Sequence, residues 1–159
     1  MASLPRHIGL ISDTHGLLRA AAIAALRGSD VIVHAGDVGA PEILERLREI
    51  APVVAVRGNV DTQPWAAALP ATQTFQADGT ILYVIHNLER LDLDPAAAGY
   101  GAVISGHAHK PMQFESNGVL YINPGSAGPR RFSLPISLAL LRLGQKPWEV
   151  EFVRCDDVK

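Results

Sequence analysis

Five short apolar runs in this chain each end at a cluster of glycine, aspartate, asparagine or histidine, and this pattern limits the fold more than any other feature. Residues 7–12 (HIGLIS) lead into Asp13-Thr14-His15-Gly16, residues 31–35 (VIVHA) into Gly36-Asp37, and residues 53–56 (VVAV) into Gly58-Asn59-Val60-Asp61. Residues 80–85 lead into His86, and residues 102–105 into Gly106-His107-Ala108-His109. Short β-branched runs that stop at turn-forming residues read as strands buried on both faces. In open α/β sheets the carboxyl ends of the strands form the ligand crevice, so five clusters far apart in sequence can meet at one site.

Helical patterns separate the first three runs. The Ala/Leu-rich stretch 17–26 has high helix propensity and is closed by Gly28 and Ser29. Pro41 opens a second helix with Ile43, Leu47 and Ile50 on one face and Glu42 in the first turn, where the helix dipole favours a negative charge and Arg46 is a pairing partner. This is a βαβαβ unit with parallel strands. The second half changes character. Residues 72–77 and 80–85 flank Asp78-Gly79, and residues 111–116 and 119–122 flank Asn117-Gly118, both hairpin signatures. Further strands are expected over 136–143 and 148–155, while 62–71 and 127–135 read as irregular, functional loops. The expected fold class is α/β: two packed mixed β-sheets flanked by helices, as one domain over residues 1–159.

Composition narrows the function classes. At 159 residues the chain can bury roughly two-thirds of its unfolded surface, so its core needs no disulfide or structural metal. A formal net charge of −2 and a pI near 6.3 offer no basic footprint for an extended nucleic-acid partner or an anionic membrane. The single Cys155 excludes an intrachain disulfide and a cysteine-based zinc cluster, and suits a reducing compartment. No apolar stretch reads as a membrane span or signal peptide, so the expected location is cytoplasmic.

The residues expected to converge are Asp13, His15, Asp37, Asn59, His86, His107 and His109. Two carboxylates, one carboxamide and four imidazoles are too many for one tetrahedral zinc and include no thiolate. With one carboxylate bridging, they supply four ligands to each of two divalent ions, an arrangement suited to in-line displacement at phosphorus. Gly16, Gly36, Gly58 and Gly106 would let the backbone turn beside these ligands.

The series Asp13-x-His15, Gly36-Asp37, Gly58-Asn59, His86 and Gly106-His107-x-His109 resembles the calcineurin-like metallophosphoesterase superfamily. The likeness is closer to its small single-domain bacterial and archaeal phosphodiesterases, which also carry Gly-Asn-x-Asp and an Asn-Pro-Gly-Ser segment like that at 123–126. The resemblance implies an αββα sandwich and two divalent metal ions, Mn²⁺ ahead of Ni²⁺, Fe²⁺, Zn²⁺ or Mg²⁺. Asp13, His15, Asp37 and His109 would hold one ion, Asp37 would bridge, and Asn59, His86 and His107 would complete the second. It also implies hydrolysis of a small phosphoester, a diester ahead of a monoester, by a hydroxide held between the ions. Asp37, Asn59 and His107 would then be catalytic and Asn59 would contact substrate; Arg57 is a further candidate substrate contact because a planar guanidinium suits phosphate oxygens.

Three positions depart from the family pattern. Val60 stands where many members have a histidine after the asparagine, so no leaving-group acid is assigned. Val38, Gly39 and Ala40 follow Asp37 where another polar residue is common, and Asn87 follows His86 in place of Gly. The competing reading from another class is a non-catalytic interaction scaffold on the same fold, like the eukaryotic retromer subunit, which would be expected to show eroded ligands. A dinucleotide-binding module is disfavoured by the absence of Gly-x-Gly-x-x-Gly after the first strand.

Several further residues admit more than one role. His7 reads as a structural histidine, and His34 either as structural or as acting beside the site. Asp61 is either a capping or turn residue or one that orients a group behind the ligands. Arg57, Arg130 and Arg131 are phosphate contacts, solvated surface or subunit contacts, and a homo-oligomer is compatible with the chain. The 123–126 segment either supports the site or is a plain turn.

Overall fold

The computed structural model describes residues 5–156. Among these described residues ten strands form two mixed five-stranded sheets. The first contains β1 (His7–Ile11), β2 (Val31–His34), β3 (Val53–Ala55), β9 (Ser137–Arg142) and β10 (Glu149–Arg154) in the order β10-β9-β1-β2-β3. The second contains β4 (Thr72–Ala77), β5 (Thr80–Ile85), β6 (Ala102–Ile104), β7 (Pro111–Ser116) and β8 (Val119–Pro124) in the order β4-β5-β6-β8-β7.

In the first sheet β1, β2 and β3 run parallel, as the βαβαβ pattern requires, with Ile8 opposite Val31 and Ile32 opposite Val53. The chain then returns from the second sheet to add β9 antiparallel to β1, and β10 antiparallel to β9. In the second sheet β6 lies between β5 and β8, parallel to both, and antiparallel hairpins place β4 and β7 at the edges.

Strand alternation sends side chains into two different cores. Ile8, Leu10, Val31 and Val33 point between the sheets, where they meet Leu82, Val84, Ile104 and Ile122. Ile11 and Ile32 point outward to α1 (Ala20–Leu26) and α2 (Pro41–Arg48), against Leu26, Ile43, Leu44 and Leu47. Gly9 shares that outward face. A Cβ there would lie 2.6 Å from Leu26 Cδ2, so the glycine lets α1 sit close to the strand.

The first helix is shorter than the propensity of 17–26 suggests. It begins at Ala20, because residues 13–19 are shaped by the site loop. Ile50 packs on the helix-side core but lies beyond the end of α2. The outer face of the second sheet has a thinner cover than the expected helical layer. Tyr83, Ile85, Val103 and Val119 are roofed by Leu88, Leu91, Leu93 and Tyr100, from the connection that carries a 3-10 turn at Leu88–Arg90 and the short α3 (Pro95–Ala98). Asp94 caps α3 by accepting from the N–H groups of Ala96 and Ala97. No described helix is long and apolar enough to cross a membrane.

Candidate metal centre

The seven residues singled out in the sequence come together at one end of the sandwich. Asp13, His15, Asp37 and Asn59 leave the first sheet after β1, β2 and β3. His86, His107 and His109 leave the second after β5 and β6. Ligand atoms of Asp13, His15 and His109 lie within 4.8 Å of one another, and so do those of Asp13, Asp37 and His86. Either triad is close enough for one divalent ion to bind all three.

Hydrogen bonds aim these side chains. Asp13 Oδ2 accepts from Ser12 Oγ–H at 2.6 Å and from the His107 N–H at 3.1 Å. This leaves Oδ1 facing His109 Nε2 at 3.3 Å and His15 Nε2 at 3.8 Å. Asp37 Oδ1 accepts from the Val60 N–H, while Oδ2 lies 3.3 Å from His86 Nε2 and 3.8 Å from His15 Nε2. Asp37 Oδ2 therefore stands within 3.8 Å of one histidine from each sheet, and Asp13 belongs to both triads. Asn59 Oδ1 lies 3.0 Å from His86 Nε2 and 3.3 Å from His107 Nδ1.

His86 Nδ1 lies 2.7 Å from the Ala35 carbonyl. A carbonyl only accepts, so the proton sits on Nδ1 and the neutral ring turns its Nε2 lone pair toward Asp37 and Asn59. Lone pairs meeting there repel unless a proton or a cation stands between them. Burial alone would lower the His86 pKa, but the Asp37 hydrogen bond and the Asp13 and Asp37 charges raise it overall. Burial likewise acts to raise Asp37, but is outweighed by His86, the Val60 N–H and His15, which bring it down to about 2. Asp13 Oδ1 and His15 Nε2 are buried without a hydrogen-bond partner. Buried polar atoms without partners are rare, and here they face each other. This donor set fits divalent cations.

The backbone is strained around these ligands. Asp13, His15, Asp37, His107 and His109 all have φ between 47° and 69°, the left-handed region that side chains with a Cβ disfavour. Gly16 and Gly36 share positive φ, whereas Gly58 and Gly106 do not. Those two are required for close approach. A Cβ on Gly58 would lie 2.2 Å from Asp37 N and Oδ1, and one on Gly106 2.0 Å from Ser12 Oγ.

His34 is fully buried, and both of its ring nitrogens are engaged by residues next to the ligands. The Gly36 N–H donates to its Nδ1, its Nε2–H donates to Thr14 Oγ1 at 3.0 Å, and Thr14 Oγ1–H donates to the Val38 carbonyl. Burial pushes its pKa down to about 4, so it stays neutral as a brace between the first two site loops. Asp61 accepts from the N–H groups of Gly58, Val38 and Gly39, tying the Asn59 turn to the Asp37 loop. From the second sheet, Asn123 Nδ2–H donates to the Gly106 carbonyl and Ser126 Oγ–H to the Asp13 carbonyl, so the 123–126 segment supports both. Ser12 and Thr14 went unnoticed in the sequence, where a serine and a threonine beside a ligand look like ordinary loop polarity.

His7 differs from its structural reading. It is exposed at the start of β1, the strand end opposite Asp13. Arg130 pairs with Asp156 and reaches the Leu134 carbonyl, and Arg131 is exposed in the same loop. Arg57 instead lines an open cleft of about 790 Å³ that begins at Asn59, His86 and His107.

The calcineurin-like phosphoesterase superfamily domain model matches residues 7–146. The chain belongs to the calcineurin-like phosphoesterase superfamily. It is thus a metal-dependent phosphoester hydrolase by family. A probable metallophosphoesterase of Methanothermobacter thermautotrophicus is 33% identical over 159 residues, covering 92% of this chain and 91% of the relative. Among solved structures, a novel archaeal phosphodiesterase superposes with a TM-score of 0.78 at 21% identity, covering 92% of this phosphoesterase and 99% of that chain. Vps29 of Entamoeba histolytica, solved in complex with Zn²⁺, gives a TM-score of 0.70 at 20% identity, with 94% and 99% covered. Both structural likenesses identify the two-sheet sandwich.

Proposed function

We propose that this calcineurin-like phosphoesterase is a phosphodiesterase whose centre holds two divalent cations through Asp13, His15, Asp37, Asn59, His86, His107 and His109, with Mn²⁺ the first choice. The observation that carries the reading is the convergence of buried carboxylate and imidazole atoms left without a hydrogen-bond partner, Asp13 Oδ1 and His15 Nε2 above all. Two cations bound there would acidify a water and neutralise charge at phosphorus.

The chain's own residues set the geometry of the reaction. Asp37 Oδ2, fixed by the Val60 N–H on its other oxygen, lies near one histidine from each sheet. Asn59 turns Oδ1 toward His86 and His107, which leaves its Nδ2–H groups to donate to a phosphate oxygen as negative charge grows. His107, exposed at the rim, lies where the cleft begins, and Arg57 contacts the substrate farther along. The diester preference is supported by the open cleft beside Asn59 and by exposed Val60, which gives no acid to a monoester's leaving oxygen. A cytoplasmic location is part of this reading, supported by the single buried cysteine.

The test is hydrolysis of bis(p-nitrophenyl) phosphate and p-nitrophenyl phosphate after chelation and re-addition of Mn²⁺, Ni²⁺, Zn²⁺ or Mg²⁺. Metal-restored turnover with the diester ahead is expected. Turnover of neither under any metal would leave the scaffold reading, and a faster monoester would reverse the preference.

A further inference from the structure

We propose that the cleft beside Asn59 holds a second anion, and that the substrate is a phosphodiester bearing a further phosphate on one of its ester groups. This deepens the phosphodiesterase reading and rests on it.

The cleft of about 790 Å³ is continuous with Asn59, His86 and His107. Clefts of roughly 300–1,000 Å³ hold whole organic ligands, so a phosphoryl group at the metal ligands leaves most of this space for the rest of the substrate. Two guanidinium groups line it. Arg57 follows β3 and donates from Nη1 to the Leu69 carbonyl at 3.1 Å, which orients the group without neutralising it. Arg90 ends the 3-10 turn Leu88–Arg90 on the opposite sheet's side of the cleft.

Neither arginine meets a carboxylate among the described residues. Of the two acids in the cleft wall, Asp61 has both oxygens engaged by backbone N–H groups. Asp92 alone is left against two arginines, in a chain whose total charge is −2. A planar guanidinium matches two phosphate oxygens at once, and an exposed pair spanning a cleft favours a ligand of two charges over one. Since the cleft opens directly onto Asn59, an anion held there belongs to the molecule whose ester lies at the metal ligands.

The experiment has a binding arm and a turnover arm. Calorimetric titration of the Mn²⁺-loaded protein compares adenosine 3′,5′-bisphosphate with adenosine 5′-monophosphate. Hydrolysis compares the p-nitrophenyl ester of thymidine 5′-phosphate with the same ester carrying a 3′-phosphate. The bisphosphate is expected to bind about tenfold tighter, and the phosphorylated ester to gain about tenfold in kcat/KM, mostly through KM, as charge-assisted hydrogen bonds would provide. Arg57→Ala with Arg90→Ala should bring both ratios close to one, and Arg57→Lys with Arg90→Lys should recover part. Equal binding of the two nucleotides by the wild-type protein, or ratios that survive the double alanine variant, would overturn the second anion site. Absence of turnover with both esters would instead remove the phosphodiesterase reading, while the binding arm still decides the anion site.

Discussion

Asp61 is the residue whose local surroundings in sequence say least about its work. Its two oxygens accept from the Gly58 N–H three residues back and from Val38 and Gly39, 23 and 22 residues away. No spacing rule marks a carboxylate whose partners are distant backbone groups, so the sequence left it between a turn residue and an orienting one. Asp61→Ala would strand three N–H donors, and is expected to cost about 3 kcal/mol of stability and lower Mn²⁺ affinity 10- to 100-fold. Asp61→Asn, which keeps the shape but turns an amide donor toward one of them, should fall between. Urea unfolding and Mn²⁺ titration measure both effects, and an alanine variant matching wild type in each would remove the bracing role. The ligands themselves were legible, because aspartates and histidines at strand ends are chemically conspicuous. Their left-handed backbone was not, since glycine advertises positive φ whereas Asp13, His15, Asp37, His107 and His109 adopt it only because surrounding contacts hold them there.

Among the elements, the strands were readable nearly residue by residue, since alternation and hairpin dipeptides fix their period and ends. The loops between β5 and β6 were harder. The short α3 depends on an Asp94 cap and Pro95 over four residues, too few for any periodic signal. Strand exits also carry constraints that pattern alone does not show. Gly106 leaves β6 directly against the exit of β1, and a Cβ there would meet Ser12 Oγ at 2.0 Å and Asp13 Oδ2 at 2.8 Å. Gly106→Ala must therefore displace the serine that orients Asp13. The expected result is a loss of about 1–3 kcal/mol in stability and weaker metal binding, read by urea unfolding and metal titration. Unchanged Mn²⁺ affinity would show that the exit can shift without moving Asp13. At the other side of the first sheet, Cys155 follows β10 into the helix-side core, and burial, followed by Asp156, pushes its thiol up to about 11. Ellman's reagent at pH 7.5 should titrate it only after denaturation, and rapid labelling of the folded protein would contradict that burial.

At the scale of the whole molecule, the centre is a joint between two sheets that otherwise meet through apolar side chains. The sequence showed which strands belong to the parallel unit and which to hairpins, but not that the chain comes back to place β9 beside β1. That pairing is a long-range contact with no local signature, and it puts β1 inside its sheet with Asp13 at the meeting point. Four candidate ligands come from the first sheet and three from the second, so a cation bound by both can form its full contacts only when the sheets are correctly packed. Ligands that bind the native state alone stabilise it by about 2.7 kcal/mol at a hundred times Kd. Added Mn²⁺ should therefore raise the thermal midpoint of the chelated protein by several degrees, in proportion to the logarithm of free metal once sites fill. Asp37→Ala removes the carboxylate that lies near one histidine from each sheet. It should abolish this increment together with turnover, while the metal-free variant still unfolds cooperatively, because Asp37 contributes nothing to the apolar core between the sheets. Differential scanning calorimetry across a Mn²⁺ series tests the coupling directly. A metal-dependent rise of equal size in Asp37→Ala would place the ions elsewhere, and an unchanged midpoint in the wild type would mean that they do not join the sheets.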